Sequence, residues 1–145
     1  MLVIPNDILF EEVERLIAAG ERVLIRLKGE SMTPMMHSGR DVVELGPLAD
    51  GDLRRGAVAL CRYRGSHILH RIVKVEGEKL TLMGDGNLRP EYVAAGDVVA
   101  VMRSLHKPSG RVIDAASCGW RFYSCVWMAL RPLRRYLLGV YRRVK

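Results

Sequence analysis

Ser31 lies in GESMTPMMHSGRD, residues 29–41, where Gly29, Pro34 and Gly39 oppose helix formation and set an irregular turn around a hydroxyl. A serine becomes a nucleophile when a neighbouring base takes its proton, so the turn needs a histidine or lysine brought to it by the fold. The chain has four histidines. His37 shares the serine's loop, His67 begins a strand-like run, and His106 stands beside Lys107 and Pro108 in a turn-like stretch. His70 is central in HILHRIVKV, where an alternation of two puts Ile68, His70 and Ile72 on one face. That face could carry a neutral imidazole acting as base, or an ordinary packed and hydrogen-bonded core histidine.

The elements that must position these residues follow from the hydrophobic pattern. NDILFEEVERLIAAG, residues 6–20, has the spacing of an amphipathic helix, with Asn6 or Asp7 as cap, Leu9, Val13, Leu16 and Ile17 on one face, and Gly20 as stop. From Arg22 to about residue 112 the pattern becomes short runs rich in β-formers, namely RVLIRLK, DVVEL, AVALCRY, HILHRIVKV, KLTLM and DVVAVMRS, parted by Gly, Pro, Asp and Asn. They predict a mainly β chain, a compact antiparallel sheet or partial barrel. Helical character returns after Asp114, and Pro132 predicts either a bent helix or two short ones. The organisation expected is an N-terminal helix over 1–21, a β domain over 22–113 and a helical tail over 114–145, together forming one domain.

Composition narrows the function classes. With 49% hydrophobic and 27% charged residues the chain belongs with globular proteins rather than disordered or fibrous ones. Its net charge of +7 is unevenly placed: residues 1–114 carry 16 basic and 16 acidic side chains, whereas the stretch after them holds seven basic residues and no acid. Cys61, Cys118 and Cys125 are odd in number and form no CxxC pair, which opposes a disulfide framework or zinc site and fits a reducing compartment. The first residues lack the basic start and long apolar stretch of a secretory signal, and no apolar run reaches the roughly 20 residues of a spanning helix. The expected location is cytoplasmic, with peripheral attachment at the inner face of the membrane as an extension of it.

GESMTP, GRDVVEL, RRGAVALCRY, HRIVKVEG and GDGN follow one another in the order found in the signal peptidase I and LexA-like clan of serine peptidases. The chain resembles that clan over about residues 22–103, most of its length. The resemblance implies a nucleophile at Ser31, in the Ser-Met-x-Pro turn, and a general base at His70 on a neighbouring strand. Bacterial signal peptidases and LexA-type repressors have lysine at the second position. The archaeal and endoplasmic-reticulum type has histidine in a similar His-Arg-Ile setting, and this chain is most similar to that branch. Asp85 in GDGN matches an acidic position of the clan and is implied as the third member of a triad, with Glu91 in reserve. The same GDGN also reads as a tight turn held by its own Asp and Asn. Gly29 and the amides around Ser31 suit an oxyanion hole, since glycine lets the main chain approach developing charge. Met32 and Pro34 would shape the turn and the substrate cleft, against the reading in which Met32, Met35 and Met36 fill core gaps. The chain departs from the clan in SGRD, where Arg40 parts the usual Gly-Asp pair and Asp41 is left to serve that turn. Neither the spanning helix of signal peptidases nor the DNA-binding domain of LexA-type repressors is expected from these residues, so no physiological substrate carries over.

The expectation is therefore a serine endopeptidase acting on a peptide or protein precursor through Ser31 and His70, with neither metal nor cofactor. The rival is a noncatalytic protein of the same fold that binds a peptide, a protein partner or a membrane surface. Residues 115–145 mix Trp120, Phe122, Trp127 and Tyr141 with arginines, which suits either an anionic membrane surface or a helix docked on the sheet by its aromatics. Nucleic acid ranks third, because no recognition motif accompanies the charge.

Overall fold

The computed structural model describes residues 3–4, 9–26, 32, 34–37 and 39–144. A single open sheet dominates it, in the order β1-β2-β3-β8-β4-β5-β6-β7, with β9 paired to β8. Its strands are β1 (Val3–Ile4), β2 (Val23–Arg26), β3 (Val42–Gly46), β4 (Val58–Tyr63), β5 (Ser66–Glu76), β6 (Lys79–Met83), β7 (Glu91–Ala94), β8 (Val98–His106) and β9 (Val112–Asp114). All pairings are antiparallel except β1 with β2. Among the described residues three α-helices accompany the sheet: α1 (Leu9–Ala18), α2 (Cys118–Ala129) and α3 (Arg134–Val144). The mainly β class with flanking helices is as the sequence predicts.

The six β-rich runs each contain a strand. The alternation in AVALC shows why this segment is central. Val58 and Leu60 join the core beneath α1, while Ala59 and Cys61 join a second core on the opposite face with Ile72, Leu80, Leu82 and Val93. A strand covered on both faces reads as a continuous apolar run. β4 turns into β5 through Arg64 at φ 49° and Gly65 at φ 76°, the two left-handed residues of a tight hairpin whose twist matches the strands it joins. The sequence pattern did not single out β1, β7 and β9, all of four residues or fewer.

Val13 and Ile17 of α1 are buried against β2, β3 and β8, as the helical spacing predicts. The helix closes with Glu21 N–H donating to the Leu16 carbonyl and Gly20 N–H to that of Ile17, with Gly20 at φ 87°. Asn6 and Asp7, the expected caps, lie outside the described residues. The far end of the chain is two helices rather than one bent one. α2 starts on Ser117, whose Oγ accepts from Trp120 N–H at 3.2 Å, and a single 3-10 turn over Arg131–Leu133 containing Pro132 links it to α3. These helices are part of the body: Trp120 belongs to the main core, and Met128 packs with Val73 and Met83 of the sheet. Among the described residues no helix is long and apolar enough to cross a membrane.

Candidate active site

His70 is in the middle of β5, opposite Ala59 of β4, and is 6% exposed. β6 ends at Met83, which pairs with Arg71, so the register carried one step further puts Gly84 opposite His70. Gly84 has no side chain to block that space. β7 begins at Glu91, on the far side of β6, and Glu91 reaches back to His70 with Oε1 2.5 Å from Nδ1. A carboxylate at Nδ1 accepts that nitrogen's hydrogen, fixes the tautomer and leaves Nε2 as the nitrogen able to take a proton. Both side chains are largely enclosed, at 8% and 15% exposure, so the contact is shielded from competing water.

Asp85 does not take that role. Its two carboxylate oxygens accept from Arg71 Nε at 2.8 Å and Nη2 at 2.7 Å, a bidentate pair in which both side chains are almost wholly buried. Because strand neighbours point to opposite faces, the Arg71 that follows His70 projects away from the imidazole, and Asp85 goes with it. The carboxylate in contact with His70 is therefore Glu91 and not the expected Asp85, which anchors the GDGN turn. Arg71 also donates to Gly56 O at 2.9 Å and Ser124 Oγ at 2.5 Å, and its guanidinium lies 5.2 Å from the Trp120 ring centre.

The tail completes the turn. Trp127 Nε1 donates to Asp85 O at 3.0 Å, Arg142 to Gly86 O at 3.1 Å, and Arg134 to Gly84 O at 3.5 Å. Arg134 is buried with its guanidinium over the Trp127 ring, and desolvation lowers its pKa from the ordinary value, with Arg131 and Arg71 adding to the effect of burial and Asp85 opposing it. No pattern of spacing in the sequence marked Arg71, Ser124 or Arg134 as a cluster, since Asp85 is 14 residues from Arg71, Ser124 53 residues from it, and Gly84 50 residues from Arg134.

Ser31 and Gly29 lie outside the described residues, as do Thr33 and Ser38. The described parts of the same loop are well anchored. Met32 is 4% exposed in the main core, and its sulfur accepts from Asp85 N–H at 3.4 Å. This is the gap-filling reading of Met32 rather than the cleft-lining one; Pro34 is half-buried. Asp41, wholly buried, accepts from His37 N–H at 2.8 Å and from Lys107 Nζ at 2.7 Å, so it links His37 to the end of β8. Lys107 Nζ also donates to Met35 O. From the other side, His37 Nε2 and Tyr141 Oη are 2.7 Å apart, which ties the loop to α3.

The remaining histidines have structural partners. His67 stacks on Phe10 at 4.7 Å and meets Glu14 Oε2 at 2.9 Å, docking α1 on the β4–β5 hairpin, and His106 meets Ser104 Oγ at 2.9 Å. A cavity of about 430 Å³ opens between α2 and the 50–57 loop, bordered by Asp52, Arg103, Trp120 and Ser124. It lies on the Arg71 side and includes neither His70 nor Glu91. Comparison with protein-family models and with characterised proteins finds no match.

Proposed function

We propose that the chain is a serine peptidase of the signal peptidase-like type in which Ser31 attacks, His70 is the general base and Glu91 orients the base. In this reaction His70 Nε2 removes the Ser31 proton as Oγ attacks a peptide carbonyl, and the imidazolium formed is stabilised by the Glu91 carboxylate. The tetrahedral intermediate collapses when Nε2 protonates the leaving amine. Water, deprotonated by the same nitrogen, then releases the acyl group from Ser31. Gly29 and the amides of its loop would receive the oxyanion.

The observation that carries this reading is the enclosed His70–Glu91 pair on the β5 segment that matches the base-bearing segment of the clan. A core histidine satisfied by any hydrogen bond would serve stability; one oriented through Nδ1 by a carboxylate has the base geometry of a triad. Further support comes from the anchoring of Met32, which meets the Asp85 amide while Asp85 grips Arg71, the residue next to His70. The test is incubation of the full chain with a degenerate peptide library and mass-spectrometric reading of new termini. Wild type is expected to generate them, and Ser31→Ala and His70→Ala to lose them. Cleavage surviving in a folded Ser31→Ala chain would remove the nucleophile from the account, and a wild type that binds peptides without cutting them would make the molecule a noncatalytic binder.

A further inference from the structure

We infer that the outward faces of α2 and α3 form a docking surface for an anionic lipid bilayer, independently of whether the chain is a peptidase. Successive helical residues turn by about 100°, so residues three and four apart share a face. In α2 the buried side is made by Trp120, Ser124, Trp127 and Met128. The opposite side carries Cys118, Phe122, Cys125, Val126 and Ala129, all exposed and none charged. In α3 the buried side is Arg134 and Leu138. Away from them are Tyr136, Val140 and Arg143, flanked by Arg135 and by Val144.

Phe122 is 71% exposed, Tyr136 69% and Val144 78%, so these side chains are not borrowed by the sheet. The inner faces already have their partners, the Arg71–Asp85 pair and the GDGN turn, and therefore the outer faces are free to serve a second contact. Aromatic and aliphatic side chains beside arginines match the boundary between headgroups and acyl chains, where rings and methyls enter the apolar layer and guanidinium groups stay with phosphate.

Charge selects the occupant. The stretch from residue 115 onward has no acid, and of its basic residues Arg135 and Arg143 are exposed on the outer side of α3, whereas Arg134 is buried and Arg142 is held by the Gly86 carbonyl. A second copy laid on this face would set like charge against like charge, which opposes self-association. A nucleic acid would satisfy the arginines and leave Phe122, Val126 and Val140 without an apolar partner. An anionic bilayer satisfies both at once.

The experiment uses the full chain with vesicles of phosphatidylcholine alone or with about one third phosphatidylglycerol, read by co-sedimentation and by the rate of maleimide addition to Cys125. Expected are binding to the anionic vesicles that weakens as salt rises, and slowed labelling of Cys125 in their presence. The double variants Phe122→Ser with Tyr136→Ser, and Arg135→Glu with Arg143→Glu, are each expected to cut partitioning by at least about tenfold while their tryptophan emission stays native. Wild-type labelling needs no variant and keeps the test sound if either pair fails to fold. The inference is overturned if wild type ignores both vesicles, if it binds neutral and anionic vesicles alike, if folded variants bind as wild type does, or if the face instead drives concentration-dependent dimerisation without lipid binding.

Discussion

At the residue scale, two carboxylates close in sequence, Asp85 and Glu91, have opposite tasks. Glu91 holds His70 through Nδ1, whereas Asp85 neutralises a buried guanidinium. Their substitutions should separate activity from stability. Glu91→Gln keeps the size of the side chain and loses the charge that stabilises the imidazolium. Peptide hydrolysis should fall by about 10²- to 10⁴-fold with little change in the denaturant midpoint. Asp85→Ala leaves Arg71 buried and unpaired, which should cost about 3–5 kcal/mol in urea unfolding. An unchanged hydrolysis rate in Glu91→Gln would make the His70 contact structural, and an undiminished stability in Asp85→Ala would mean that Arg71 finds another anion. Cys61 gives an independent check on the core between β4 and its neighbours. Burial, with the Asp97 charge second, pushes its thiol pKa up to about 12. In native protein Cys118 and Cys125 should react with a thiol reagent, and Cys61 only on unfolding.

At the element scale, the helix signals are local and should behave locally. Ser117→Ala removes the side-chain cap of α2 and should lower stability by about 1 kcal/mol, measured by thermal or urea unfolding; no loss would show that packing of Trp120 alone fixes the helix start. The elements most legible in the sequence are those whose reason is local: the 3.6-residue period of α1 with its glycine stop, the period of two in HILHRIVKV, and the break at Pro132. β7 was not legible as a strand, because EYVA is short and lies between Pro90 and Ala-Gly, and only pairing with β6 gives it regularity. That omission matters to the site. Without β7 the sequence favours Asp85 and holds Glu91 only in reserve, and the strand order shows that Glu91 is the one that reaches His70. Arg71 was illegible for the opposite reason, since a charged residue within an apolar strand has no meaning until the distant Asp85, Ser124 and Trp120 surround it.

At the scale of the whole molecule, the basic tail is a structural member as well as a charged one. It supplies Trp120 to the core, Trp127 to Asp85 and Tyr141 to His37, so it braces the GDGN turn and His37. Removal of residues 115–145 should therefore destabilise the sheet and not merely reduce its charge. Trp127→Ala alone should cost about 3–5 kcal/mol in urea unfolding, and a truncated chain with wild-type stability would show the tail to be separable. The central claim concerns chemistry between Ser31 and His70, and it is tested most directly by acylation. The full chain is treated with a serine-reactive acylating inhibitor, and the adduct is mapped by mass spectrometry in wild type and in folded His70→Ala. The account predicts a single adduct on the peptide containing Ser31, formed at least about a hundredfold more slowly without the imidazole. No adduct at Ser31, or one that forms at the same rate in His70→Ala, would contradict it.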